Sequence, residues 1–463
     1  MPVFQADGLR VESDLPLARL VAGRVSMVKA EIGGNLWLTF AEVSGGESGF
    51  AVNCPQLRVG GGLYATSIQV TGGVNLWGAR AFSIDVTNAR LACDARPALR
   101  GDGLTVDQDL RCSNVMISNG GVRLFGATIG GQCWLNGAEV SNSTGWAINA
   151  PVMVIGGGVY ARGLVAHGGV NLFSAVVGES VELPQSTLSS ARGRSLRAPG
   201  MRVAGSIMLD ESANVAGDVD LSRTEIKDTL TISSAAFAAG TTVDLRRANV
   251  GTLDMTTLNV PPAELDLRGA KITTIDDDSE SWPGRIAFDM LTYQVLNPVL
   301  SAGHRLAWLR RGGHSHHPQP YEHLAAYYRT LGQDDDARTV LLARHRLRRR
   351  SLRPLACLWG YFEDATVGYG YRPGRAFSWL VALTAVVAVV FSLAPPRPVQ
   401  PSHPSFQPVA YALDLILPIL DLGQEKAFIP VGVTQWIAWV STLAGWLFAT
   451  AVIAGITRRL VRS

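Results

Sequence analysis

This chain of 463 residues is 47% hydrophobic, which is enough for a sizeable core and for more than one domain. Gly is abundant at 49 residues while charged residues make up only 17%, a balance that favours turn-dense β structure over a protein of long helices. The net charge of +3 says less than its uneven distribution, and five scattered cysteines (Cys54, Cys93, Cys112, Cys133, Cys357) without a CxxC pair argue for reduced thiols rather than a disulfide framework. The opening MPVFQADGLRVESDLP has neither a basic n-region nor an apolar h-region, so no cleaved export signal is expected.

The first long segment repeats itself. GGVNLWGA from Gly72, GGVRLFGA from Gly120 and GGVNLFSA from Gly168 start 48 residues apart. IGGNLWLTFAEVS from Ile32 returns as IGGQCWLNGAEVS from Ile129. A fixed period with alternating apolar residues and a turn signal every 10 to 12 residues marks stacked short strands and excludes helical repeats. Coils of about 20 to 25 residues place two in each unit, so the expected fold is mainly β, a β-helix (solenoid) over residues 5–276, with a sandwich or propeller as the runner-up. The Gly pairs lack the strand–helix–acid context of a dinucleotide loop and read as corners of coils. Cys54, Cys93, Cys112 and Cys133 read as small apolar residues inside the stack.

From Pro283 the pattern turns helical, and residues 283–353 are expected to form a helical linker with a hairpin. Pro320 marks a helix start, Gly332 a stop, and Asp334, Asp335 and Asp336 the opening turn of a second helix. His314, His316, His317 and His323 lie close together, a spacing open to zinc but more in keeping with a solvated loop. Residues 354–375 form an aromatic juxtamembrane segment containing TVGYG at Thr366–Gly370, the string of a potassium filter. Here it lies ahead of the first apolar run instead of between two, and an interfacial segment is the better reading.

Two uncharged runs follow, residues 376–394 and 433–456, each long enough to cross about 30 Å of hydrocarbon. Arg344, Arg346, Arg348, Arg349, Arg350 and Arg353 precede the first and Arg458, Arg459 and Arg462 follow the second, whereas the connecting loop 395–432 holds only Arg397 and Lys426. Positive residues stay inside, which places both termini in the cytoplasm and the loop outside, with the Arg run on lipid rather than nucleic acid. The loop carries a short apolar helix and two carboxylates, Asp414 and Asp421, seven residues apart. These would share a face if the helix passes Pro418, as a re-entrant element with an acidic ring would require. Ser441, Gly445 and Ala449 make a small-residue stripe suited to close helix packing.

The GxVxLxGAxIGG repeats, WPGRIAFDMLTY, PQPYEHLAAYYRTLGQDDDAR, DATVGYGYRPGRA and YALDLILPILDLGQEKAF together resemble an uncharacterised actinobacterial membrane-associated protein family, over essentially the whole chain. The resemblance implies this architecture and a membrane location, and its members are often labelled membrane-associated oxidoreductase. The residues themselves carry no dinucleotide fingerprint, haem CxxCH, redox CxxC or iron–sulfur spacing, so no cofactor is expected. Three functions stay open: a membrane-anchored cytoplasmic scaffold or sensor that binds a protein partner or itself, an oligomeric two-span channel-like protein, and the oxidoreductase of the label.

Overall fold

A computed structural model describes residues 2–45, 49–94, 97–313, 317–349, 373–400, 404–417 and 419–460. The chain divides into two units, Met1–Tyr327 and Tyr328–Ser463.

The first unit is a parallel β-solenoid of about 13 turns. Inward side chains recur at alternating steps of two and three residues, as at Val243, Leu245, Ala248, Val250, Leu253 and Met255, all buried. The step of two is ordinary strand alternation. The step of three carries the chain round a corner, often through a left-handed residue such as Asn88, Asn114 or Arg247. One coil accordingly has four short sides, for example Val154–Ile155, Val159–Tyr160, Val165–His167 and Val170–Asn171. Each side pairs in register with the same side of the next coil, so that like residues stack and apolar columns run the length of the interior.

The 48-residue beat has a structural cause. Along one side Val122 pairs with Ile148, Ile148 with Val170 and Val170 with Leu196, steps of 26, 22 and 26 residues. Long and short coils alternate because one corner alternates. It is tight at Gly120–Gly121 and Gly168–Gly169 and open at residues 142–147 and 190–195. Gly121 has φ +65°, and a Cβ there would lie 2.6 Å from the carbonyl oxygen of Trp146 in the wide corner of the next coil. Glycine is required by both conformation and space.

The solenoid runs further than its expected end at residue 276. Strands begin at Val3 and continue through Arg285–Ala287 and Thr292–Asn297, and the first helix starts only at Ala302. Ile286, Phe288, Leu291, Tyr293 and Leu296 repeat the steps of two and three and are buried. That spacing, with two large aromatics in it, imitates a helical stripe, which is why the boundary was expected at Pro283. Two helices follow, α1 (Ala302–Arg310) and α2 (Gln319–Thr330). Gly332 is left-handed after α2, and Asp334, Asp335 and Asp336 open α3 (Asp334–Arg349).

In the second unit α3 is followed by α4 (Pro373–Leu393), α5 (Pro408–Ile416), the single turn α6 (Gln424–Ala427) and α7 (Val433–Leu460). Strand Arg397–Pro398 pairs antiparallel with Phe428–Ile429 and closes the connecting segment. Val387, Phe391, Tyr411, Leu415, Ile416 and Phe428 form the core of this unit, where α5 lies against both α4 and α7. Among the described residues no helix is long and apolar enough to cross a membrane. Side chains are described from Phe377 onward in α4 and, in α7, to Thr450 and at Val452 and Ile453.

Candidate functional site

The outer surfaces of α4 and α7 are apolar. Phe377, Trp379, Val386, Val389 and Leu393 stand exposed on α4, the last at 82%. On α7 the same holds for Trp436 at 67%, Trp439, Leu443 at 70%, Trp446 and Leu447. Trp436 and Trp439 meet edge to face at 5.1 Å near the start of α7. Two half-buried threonines of these helices bond their own backbone: Thr384 Oγ1 donates to Leu380 O and Thr442 Oγ1 to Ala438 O.

The small-residue stripe is consumed within the chain. Ser441 and Ala449 are buried, and a Cβ on Gly445 would sit 2.3 Å from the Ile416 carbonyl oxygen, so α7 touches the end of α5 at that point. Helix α5 ends at Ile416, before Pro418, and the two loop carboxylates therefore do not share a helical face. Asp414 is buried and accepts backbone hydrogen bonds from Leu422 N (2.7 Å) and Glu425 N (2.8 Å), folding the following segment back onto α5. Asp421 is exposed and paired with Lys426, whose ammonium holds its carboxyl below the ordinary range. Burial, with Asp414 and Asp421 nearby, pushes the neighbouring Glu425 up. Sequence spacing brought Asp414 and Asp421 together; the structure gives one a capping role and the other an ion pair.

Of the arginines expected on lipid, Arg344 is half-buried with its guanidinium 3.1 Å from His345 Nε2, and Arg346 is exposed. Arg348 and Arg349 continue the backbone of α3, and Arg350 and Arg353 lie outside the described residues. So do Thr366–Gly370, Cys357, His314 and His316. His317 faces Asp289 at 3.7 Å, while His323 belongs to α2 and serves a different purpose, described below. Among the described residues no three His, Cys, Asp or Glu side chains gather as a metal site. Cys54 and Cys133 sit in the solenoid interior, where burial pushes both thiols up to about 12.

The least legible feature is the closed end of the solenoid. Its last strand, Thr292–Asn297, has no further coil to pair with, and three side chains of α2 at four-residue intervals take the place of one. Gln319 accepts from Met290 N (3.1 Å) and donates to Leu291 O (3.0 Å). His323 Nε2 lies 3.1 Å from Tyr293 N and 3.0 Å from Tyr293 O; each neutral tautomer satisfies one of the two. Tyr327 Oη donates to Leu296 O (3.1 Å) and accepts from Leu296 N (3.4 Å). Helix α1 is locked in place by a fully buried pair in which Arg305 contacts both oxygens of Asp277, at 2.6 and 2.8 Å. Arg305 also donates to Pro298 O (3.0 Å), and Trp282 Nε1 donates to the same carboxylate (2.8 Å). Asp277 occupies an inward position that Leu209, Ile232 and Met255 fill in earlier coils. An acid at a core position was the available signal, and it was hidden inside the run Asp276–Asp278.

Outward columns of the solenoid hold stacked pairs rather than a convergent site. Trp37 stacks on Tyr64 at 4.4 Å and Trp134 on Tyr160 at 4.6 Å, one coil apart in each case. Asp244, Arg246, Asp266 and Arg268 alternate along another side as an ion ladder. A groove of about 350 Å³ lies over Gln69, Arg90, Met116 and Glu139. No family model, curated protein or solved structure matches this chain.

Proposed function

We propose that this protein is a membrane-anchored scaffold, in which α4, α5 and α7 reside in the bilayer and the β-solenoid presents a long rigid surface to partners. The carrying observation is the exposure of large apolar side chains around both α4 and α7. A set of this size facing water would be an aggregation liability, whereas facing acyl chains it is at rest. Helix α4 has 21 backbone residues and α7 has 28. At 1.5 Å per residue these are about 31 and 42 Å long, against about 30 Å of hydrocarbon. Arginines ahead of α4 and from Arg458 onward favour both termini on the cytoplasmic side.

The test is fractionation of cells expressing the full chain. The protein is expected in the membrane pellet, retained after alkaline carbonate and released by detergent. Protease added outside should spare the solenoid, and added to inverted vesicles should reach it. Recovery in the carbonate supernatant would end the anchoring proposal. The channel reading draws no support from Asp414, which is engaged by the backbone of its own loop, or from Gly445, which is covered by α5.

A further inference from the structure

One corner of the solenoid carries aromatic rings at a regular interval. Trp77, Phe125 and Phe173 each open the two-residue turn that closes GGVNLWGA, GGVRLFGA and GGVNLFSA. Backbone bonds between successive coils place them in one column with Asp102 and Pro151 between them: Gly78 N donates to Asp102 O, Gly103 N to Phe125 O, Gly126 N to Pro151 O and Val152 N to Phe173 O. Trp77 and Phe125 are 45% and 50% exposed, and Phe173 is half-buried. The rings therefore stand two coils apart, about 9.6 Å, over a run of about 19 Å, with a smaller residue forming a notch between each pair. The space beside them is open, since a Cβ on Gly103 or Gly126 would meet nothing within 4 Å.

The polar groups next to this column are ordered in the same way. Its neighbouring acceptors are engaged: Asn53 Oδ1 accepts from Asn75 Nδ2 (2.9 Å), Asn149 Oδ1 from Asn171 Nδ2 (2.7 Å), and Asn171 Oδ1 from Arg197 Nη1 (3.2 Å). Buried Asp102 accepts from Nε of both Arg100 and Arg123, at 2.8 Å each, which fixes two guanidinium groups between Trp77 and Phe125. Their Nη groups have no partner among the described residues. Arg197 lies over the Phe173 ring at 4.9 Å. What the edge still offers is rings and hydrogen-bond donors.

We infer that this edge binds a proline-rich segment of a partner protein in the polyproline II conformation. Such a helix rises about 3.1 Å per residue with three residues per turn, or about 9.3 Å per turn, so it stays in step with all three rings to within about 1 Å. A strand repeats on one face about every 6.8 Å, and an α-helix about every 10.5 Å over seven residues; both fall out of step by the third ring. The chemistry agrees with the spacing. Proline lacks an N–H, and a polyproline backbone makes no internal hydrogen bonds, so the segment presents carbonyl acceptors to a surface of donors and aromatic notches. A nucleic-acid strand also uses rings and arginines, but here Asp102 neutralises half the charge of Arg100 and Arg123, which a polyanion would need whole. Pro395, Pro398, Pro401 and Pro404 of this chain keep the same three-residue step, but Arg397–Pro398 is already paired with Phe428–Ile429. The inference rests on the scaffold reading for the existence of a partner and deepens it by naming that partner's chemistry. The two fail separately: a carbonate-soluble chain that binds polyproline loses the anchor alone, and a carbonate-resistant chain that ignores polyproline loses this edge alone.

The experiment titrates the full chain, in detergent, into fluorescein-labelled nonaproline and reads anisotropy. Saturable binding at micromolar protein is expected. Trp77→Ala/Phe125→Ala, altered only at exposed turn positions, should weaken it by about tenfold or more with an unchanged melting curve. Phe82→Ala, an equally exposed ring on the strand Arg80–Asp85, should bind as the unaltered chain does. Peptide length gives an answer that depends on no variant: affinity should climb from triproline to hexaproline to nonaproline, as each turn reaches another ring, and level off in longer oligoprolines. No binding of nonaproline, equal binding of a Gly–Ser peptide of the same length, tighter binding of an oligothymidylate, indifference to Trp77→Ala/Phe125→Ala, or no gain from triproline to nonaproline would each overturn the inference.

Discussion

Arg305→Met isolates the latch that closes the solenoid. In the native chain the guanidinium makes two charge-assisted hydrogen bonds to Asp277 and one to Pro298 O, in a site where both side chains are at most 1% exposed. Charge-assisted bonds contribute about 1.5–3 kcal/mol each, and removing one partner of a buried pair costs about 3–5 kcal/mol because the other charge is left without compensation. The two figures agree. Trp282 Nε1 is then the one donor remaining to the carboxylate among the hydrogen bonds described for it. The effect should fall on the cap, whose opening exposes the last strand. Hydrogen exchange at Tyr293 and Leu296 reads that opening, and a loss of about 3–5 kcal/mol raises the opening equilibrium by about two to four orders of magnitude. Asp277→Leu/Arg305→Met removes both charges and should recover most of the loss, short of about 1–3 kcal/mol for the orphaned Trp282 N–H and Pro298 carbonyl. A less than tenfold rise in exchange for Arg305→Met, or a double variant worse than the single, would refute the latch.

Four further outcomes are expected. His323→Ala strips Tyr293 of its edge partner and should destabilise the cap by about 1–3 kcal/mol, measured by the same exchange at Tyr293. Gly445→Ala drives a Cβ onto the Ile416 carbonyl and should lower the thermal midpoint of the helical unit in detergent, whereas Leu443→Ala, at an exposed position two residues away, should not. Val152 holds a left-handed conformation at φ +51°, which a β-branched residue tolerates poorly. Val152→Asn should therefore raise stability by about 1 kcal/mol in chemical denaturation. Asp278 is held below its ordinary 3.8: burial opposes ionisation, but hydrogen bonds from Thr257 N, Ser281 N and Oγ, and Glu280 N overcome it. Its stabilisation is present above about pH 4 and is lost as pH falls through the lower folded value, so Asp278→Asn should cost stability at pH 7 and flatten the acid limb of a stability–pH curve.

What could be read from the sequence divides along a physical line. The solenoid and its two-coil repeat were legible because stacking forces like residues into like positions; GGVNLWGA and GGVRLFGA differ in side chain but not in backbone demand. Helices α2 and α3 were legible from Pro320, Gly332 and the Asp triplet, which act locally. The boundary near 283 was not, because Ile286, Phe288 and Leu291 follow a rhythm whose meaning depends on whether a coil lies beneath them. Nor was the cap, in which Gln319 and His323 act on strand atoms 28 to 30 residues away through bonds that leave no pattern in composition. Asp414 shows the reverse error: spacing suggested a shared face with Asp421, but a helix that stops at Ile416 turns the first inward and the second out.

The alternating corner bears on where a solenoid of this kind can vary. A tight corner such as Gly168–Gly169 fits only under a wide one, since a Cβ on Gly169 would lie 2.6 Å from the Arg194 carbonyl oxygen and one on Gly168 2.7 Å from that of Asn142. The wide corner in turn folds on itself, with Asn142 Nδ2 donating to Trp146 O and its Oδ1 accepting from Thr144. Each therefore constrains its neighbours above and below. Widening every corner would remove the glycines that let coils close at one strand spacing, and tightening every corner would leave Trp146 and its equivalents no place. The 48-residue period is thus the smallest unit that satisfies both conditions, and it sets the wide corners two coils apart, about 9.6 Å, along a single edge of the solenoid.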